Sequence, residues 1–286
     1  MSIEEDIRSW IEKGNQLFAK RENEPAEQLF ERALRRDPCN EAALISLGML
    51  YTATGRGHLA IQRFQRLQGE LPAAPGPYRA IATLMRVSGK LPLALQYFQE
   101  LAQRELADAK PTILLCLGEI YAADNNHSAL RGVLAELLEL PPSEAITQGL
   151  LHLEISDATG LETLANQQED PGLRDTLLGM AAEARNDFAS AGQIFYQAST
   201  QENPSWYALN ALAGMWLDNN QLDYCKAYLD QATALAPNTP EVLLTEARLL
   251  KARGDRERSS ELFKQLIRLP GGLRRTRRLA TVYARK

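Results

Sequence analysis

The sequence predicts an all-α chain of stacked helical hairpins, and three observations carry that prediction. Apolar positions recur with a period near 34 residues. Within each period they are spaced by three and four, which places them on one face of a helix. Midway through nearly every period stands a glycine or asparagine, the residues that most readily take the left-handed conformation ending a helix. Counting from Glu41, Leu44, Leu47, Gly48 and Tyr51 fall at offsets 4, 7, 8 and 11 of a first helix. Ala60, Phe64 and Leu67 fall at offsets 20, 24 and 27 of a second, and Pro72 stops it at offset 32.

The other units fit the same frame in order. One period upstream stand Trp10, Gly14, Leu17, Ala26, Phe30, Ala33 and Pro38; one period downstream stand Tyr78, Ile81, Ala82, Met85, Gly89, Ala94, Phe98 and Leu101. After a slip of two residues a fourth unit supplies Leu114, Leu117, Gly118, Tyr121, Asn125 and Leu134. The fifth, residues 143–171, is seven residues short and lacks the aromatic at offset 24, with helices expected over Ser143 to Leu153 and Ala158 to Gln167. Its stacking is expected to be the weakest, which makes it a possible hinge. Three units then resume through Gly179, Phe195, Ala213, Leu229, Ala247 and Phe263. From Leu273 the frame begins again and the sequence reaches offset 14, so a C-terminal helix is expected as a cap or as the first helix of a ninth unit. This divides the chain into residues 1–142, 143–171, 172–271 and 272–286.

Two positions specify the packing. Offset 8 is Gly or Ala in all seven clear units, where a minimal side chain permits close helix approach at a cost in helix propensity. Offset 15 is Gly or Asn in six of the seven, Arg21 being the exception. The phenylalanines at offset 24 have core spacing, so they are expected to fill the interior rather than to dock a ligand.

Charge and chemistry narrow the function. The chain of 286 residues carries a net charge of −4, but twelve basic and three acidic residues lie beyond position 250, leaving 20 basic against 33 acidic before it. The N-terminus lacks the basic segment and apolar core of a signal peptide, and no apolar run approaches a membrane span. Three cysteines (Cys39, Cys116, Cys225) match neither a disulfide framework nor a metal site, which fits a reducing, cytoplasmic setting. Cys225 takes a core offset, whereas Cys116 is expected at a partly exposed one. The three histidines lie in different hairpins, and no metal-ligand, nucleophile or phosphate-loop motif occurs. No catalytic residue, metal or cofactor is expected.

These small and large positions in a 34-residue helix-turn-helix resemble the tetratricopeptide repeat (TPR) family, over nearly the whole chain. The resemblance implies a right-handed TPR-like solenoid of about eight hairpins. It also implies that offsets 2, 5, 9, 12 and 13 of the first helices face a concave groove that receives a protein or peptide partner. Asn15, Phe18, Met49, Thr52, Arg79, Thr83, Arg86 and Glu119 are the candidate partner-binding residues. Arg79 and Arg86, seven residues apart, share one helix face and suit an amphipathic or acidic segment. The carboxylate clamp of chaperone-binding members is absent, since Ile11, Ser46, Gly76 and Ala80 stand where its Lys, Asn and basic pair would be. A non-catalytic scaffold or adaptor is the reading this supports. The alternatives are a regulatory or targeting arm of a larger enzyme, and an adaptor whose basic C-terminal helix (Arg274, Arg275, Arg277, Arg278) meets nucleic acid or an acidic surface.

Overall fold

The computed structural model describes residues 3–104, 106–139, 144–237 and 239–268, together with Leu279 and Tyr283. Those residues form sixteen α-helices and no strand, paired as eight hairpins. The first four are α1 (Ile3–Ala19) with α2 (Asn23–Arg36), α3 (Glu41–Ala53) with α4 (Gly57–Glu70), α5 (Pro75–Val87) with α6 (Leu91–Ala102), and α7 (Lys110–Ala123) with α8 (His127–Leu138). The rest are α9 (Ala145–Glu154) with α10 (Ala158–Asn166), α11 (Pro171–Ala184) with α12 (Phe188–Ser199), α13 (Trp206–Asp218) with α14 (Leu222–Leu235), and α15 (Pro240–Ala252) with α16 (Arg256–Arg268). By their contacts they group into two compact units, Met1–Ile120 and Tyr121–Lys286, and the division falls inside α7.

The turn between the two helices of a hairpin is set by one left-handed residue. Asn125, Asn186 and Asn220 have φ near +60°, and Gly55, Gly89 and Gly254 lie between +68° and +88°. Arg21, the exception at offset 15, takes the same conformation at φ +64°, and Ser156 does so in the short hairpin. The backbone geometry is therefore kept even where the side chain disfavours it. Helix starts are capped locally: the side chains of Asn40, Asn126, Asp157, Asp170, Asp187 and Ser205 accept hydrogen bonds from backbone N–H groups of the first turn.

Packing follows the frame. Phe30, Phe64, Phe98, Phe195 and Phe263 are all buried, as the core reading of offset 24 expects. A Cβ built on Gly14 would come within 2.5 Å of the Phe30 ring, and one on Gly179 within 2.4 Å of Phe195, so these glycines admit the partner helix. Gly48 has a different neighbour: its Cβ would meet Leu84 of α5, the next first helix. First helices touch along the stack, α3 against α5 and, in the second unit, α9 against α11 and α13 against α15. Second helices make no comparable contact with one another among the described residues, and α2, α4, α10, α12 and α14 instead pack against the first helix that follows them.

The short fifth hairpin is better packed than its missing residues suggest. Its Leu153, Leu161, Leu164 and Ala165 share one core with Leu177, Met180, Phe195 and Leu212 of the next two hairpins. It does without a phenylalanine by burying Leu161 and Leu164 completely. Gly149 lets α9 and α11 approach, since a Cβ there would stand 2.7 Å from Leu177. Of the C-terminal helix expected from the sequence, all but Leu279 and Tyr283 lies outside the described residues. Leu279 and Tyr283, its offsets 7 and 11, pack against the core of Leu243, Leu244 and Phe263, and Lys251 Nζ donates to the Tyr283 carbonyl at 2.7 Å.

Candidate functional site

In the first unit, α3 and α5 lie side by side, and α7 supplies Glu119, the ion-pair partner of Arg86 on α5. Spacings of four and three put Glu41, Ile45, Met49 and Thr52 on one stripe of α3, and Arg79, Thr83 and Arg86 on one stripe of α5. One ion pair joins the two stripes, and a second joins α5 to α7. Arg79 Nη1 donates to Glu41 Oε2 at 3.4 Å, and Arg86 Nη1 donates to Glu119 Oε2 at 2.9 Å. The Arg86 side chain is 7% exposed and Glu119 21%, so this pair is largely withdrawn from water, whereas Glu41 is 41% exposed. Arg86 leaves Nε and Nη2 buried with no hydrogen-bond partner, an arrangement that costs desolvation without return. Half-buried Ile45, Met49 and Thr52 lie beside this charged row.

The structure thus brings Met49, Thr52, Arg79, Arg86 and Glu119 onto neighbouring helices. Thr83, 5% exposed, sits beneath the surface and contributes to its floor. Asn15 is exposed and Phe18 half-buried on α1, which contacts α3 but carries none of the ion pairs above. That both arginines would be paired was not visible from their shared helix face. The missed residue is Glu41, and the missed signal is that Glu41 and the candidate Glu119, at offsets 1 and 9 of the flanking units, reach offsets 5 and 12 of the third.

The cysteines are unpaired. Cys116 is 1% exposed, a correction to the partly exposed position expected for it: it faces the interior between α5 and α7, near Arg79, Arg86 and Tyr78. Burial pushes its thiol far above the ordinary value, and burial raises Cys225 to about 11, so both are held in the protonated thiol form. Among the described residues no group of three or more His, Cys, Asp and Glu is placed to hold a metal ion, and no helix is long and apolar enough to cross a membrane. Arg274, Arg275, Arg277 and Arg278 lie outside the described residues.

The second unit buries polar groups along its first helices: Gln148 and His152 on α9, Asp175 and Thr176 on α11, Asn210 on α13 and Thr245 on α15. His152 Nδ1 shares a hydrogen bond of 2.9 Å with Asp157 Oδ2, whose other oxygen accepts the Gly160 N–H at 3.0 Å to cap α10. Burial holds His152 below the ordinary imidazole value, with the Asp157 hydrogen bond opposing it. The neutral ring donates through Nδ1 and keeps Nε2 buried without a partner.

No protein-family model matches the chain, and no curated protein matches it. Solved structures that resemble it include a tetratricopeptide repeat protein from Parabacteroides merdae, 15% identical over 97% of this chain and 99% of that one with a TM-score of 0.39. The Cut9–Hcn1 hetero-tetramer of the APC/C is 14% identical over 96% of this chain and 54% of that one, with a TM-score of 0.43. A human IFIT1 dimer with m7Gppp-AAAA is 13% identical over 85% and 62%, with a TM-score of 0.45. The TPR-like hairpin array itself is read from this chain's own helices, turns and core.

Proposed function

We propose that the chain is a non-catalytic scaffold that docks a segment of a partner protein on the α3–α5–α7 face of its first unit. The observation that carries the proposal is the juxtaposition there of half-buried apolar side chains, Ile45 and Met49, with a row of paired charges, Glu41–Arg79 and Arg86–Glu119. Such a surface fits an amphipathic helix or extended segment: apolar anchors supply affinity, and exchange of an ion-pair partner supplies selectivity. Arg86 adds a specific capacity, because its Nε and Nη2 have no acceptor among the described residues. An incoming carboxylate that drew the guanidinium outward would satisfy them. Three unpaired thiols, two of them buried, are in keeping with a reducing compartment such as the cytoplasm.

The test is capture of partners by the immobilised chain, followed by identification and titration. Met49→Glu changes a half-buried residue on this face and leaves the ion pairs in place. It should weaken capture at least tenfold while the circular dichroism spectrum is retained. Undiminished capture by Met49→Glu and by Thr52→Arg would place the binding surface elsewhere. Charge reversal of Arg79 and Arg86 is the poorer test, since each new carboxylate would lie against Glu41 or Glu119 and disturb the fold itself.

A further inference from the structure

The joint between the third and fourth hairpins is longer than those before it. Residues 37–40 and 71–74 connect the earlier hairpins, whereas residues 103–109 connect α6 to α7 and include a turn of 3-10 helix at Ala107–Ala109. This is where the two-residue slip in the sequence frame falls. Beside the joint is a cavity of about 530 Å³ whose lining includes Gln68, Tyr78, Tyr97, Leu101, Arg104 and Leu106. That volume is in the range of small-molecule sites. Leu106 belongs to the lengthened joint, so the slip builds part of the wall.

The polar groups of this cavity are unevenly matched. Tyr78 Oη donates to the Pro72 carbonyl at 3.1 Å, and Tyr97 Oη donates to Gln68 Oε1. Both hydroxyl protons are therefore spent. Gln68 is 93% buried, at an offset where the other units place small or apolar residues or a short hydroxyl, and its Nε2 has no hydrogen-bond partner. A buried amide left without an acceptor is costly and calls for an explanation. Arg104 is exposed at the rim, close enough to act on Tyr97, and has no ion-pair partner among the described residues. Gln68 Nε2 is sealed beneath the wall, and the donors that line the cavity are the exposed Gln65 amide, which bonds Tyr97, and the Arg104 guanidinium, set among Leu101, Leu106, Pro72 and the tyrosine rings.

We infer that this cavity is a binding site for a small organic acid: a carboxylate with an apolar or aromatic body. The carboxylate takes the Arg104 guanidinium at the rim, and the body lies against the leucine, proline and tyrosine surfaces. A neutral ligand of the same shape would leave the cation unmatched, so the charge decides the selectivity.

The experiment is an NMR titration of the whole chain with benzoate, using benzyl alcohol as the neutral probe of similar shape, read at the amides of Gly69 and Leu106. Benzoate should give saturable shifts at both positions and bind at least about tenfold more tightly than benzyl alcohol. Arg104→Gln, a change at an exposed residue, should weaken benzoate about tenfold and leave benzyl alcohol unchanged, and Arg104→Lys should recover part of the loss. Absence of saturable shifts at Gly69 and Leu106 would overturn the assignment. So would equal affinity for the two probes, or benzoate binding that is indifferent to Arg104→Gln.

Discussion

Replacing Gly76 with alanine adds one methyl group to the second residue of α5, and the structure leaves no room for it. An ideal Cβ at Gly76 would lie 1.9 Å from the Cys39 carbonyl oxygen and 3.0 Å from its carbon. A carbon–oxygen contact normally requires about 3.3 Å or more, so the two backbones would have to separate by about 1.4 Å. Neither can yield by rotating a side chain. Cys39 is held by the bond from its N–H to Asp37 Oδ1 at 3.1 Å, and the next residue, Asn40, caps α3. Overpacking of this kind costs roughly 1–3 kcal/mol, and the better helix propensity of alanine returns at most about 1 kcal/mol. The expected net loss is about 1–2 kcal/mol, or a melting temperature lower by about 2–8 °C at this chain length. Gly132→Ala is the control: Gly132 is exposed within α8 with nothing within 4 Å of its would-be Cβ. There the same methyl group should stabilise by about 0.5–1 kcal/mol. Thermal melts followed by circular dichroism measure both. A Gly76→Ala variant that melts at or above the wild type, or a Gly132→Ala variant that falls as far, would show the contact is not where the structure puts it.

Other consequences can be checked on the same protein. Arg21→Gly should raise stability by about 1 kcal/mol in urea denaturation, because glycine removes the cost of a left-handed arginine; an unchanged midpoint would mean the turn carries no strain. His152 is held below its ordinary value by burial, so the unfolded chain binds its proton first. Its contribution to stability is complete above about pH 6.5 and is lost as pH falls. His152→Leu should flatten that part of the stability profile, with Asp157 and, beyond it, Arg131 as the charges it leaves behind. In the native state a thiol reagent should modify Cys39 well before Cys116 and Cys225, and rapid modification of all three would contradict the burial of the latter two. Hydrogen exchange in α9 and α10 should be no faster than in α11, given their common core; much faster exchange there would restore the hinge reading of residues 143–171.

The hairpins, their turns and the phenylalanine core were legible because each depends on residue type at fixed spacing. The frame even located the left-handed turn at Arg21, where the residue itself gives no such signal. What was not legible depends on neighbours in space. Cys116 sits at an offset that suggests the helix side, yet it is sealed between first helices. Gly76 read as a missing clamp residue, whereas its smallness answers to the backbone of Cys39. The short hairpin looked weak because seven residues are gone, but the loss fell on helix length and left the buried leucines in place. The ion pairs of the candidate docking face needed the distance between hairpins, which no single unit encodes.

Those pairs belong to a wider set. Arg56 reaches back to Glu27, Arg63 to Glu31, Arg185 to Glu162, Arg248 to Asp218 and Arg253 to Asp223, each joining one hairpin to the one before it. Pairs this exposed stabilise little individually. An array of look-alike modules has another problem to solve, because any hairpin offers a similar apolar face to any other, and skipped or swapped neighbours are a characteristic failure of repeat proteins. A guanidinium on one module that meets a carboxylate only on its proper neighbour would act as an address label. On this reading, raised salt should increase misassembly on refolding more than it lowers the stability of the finished fold.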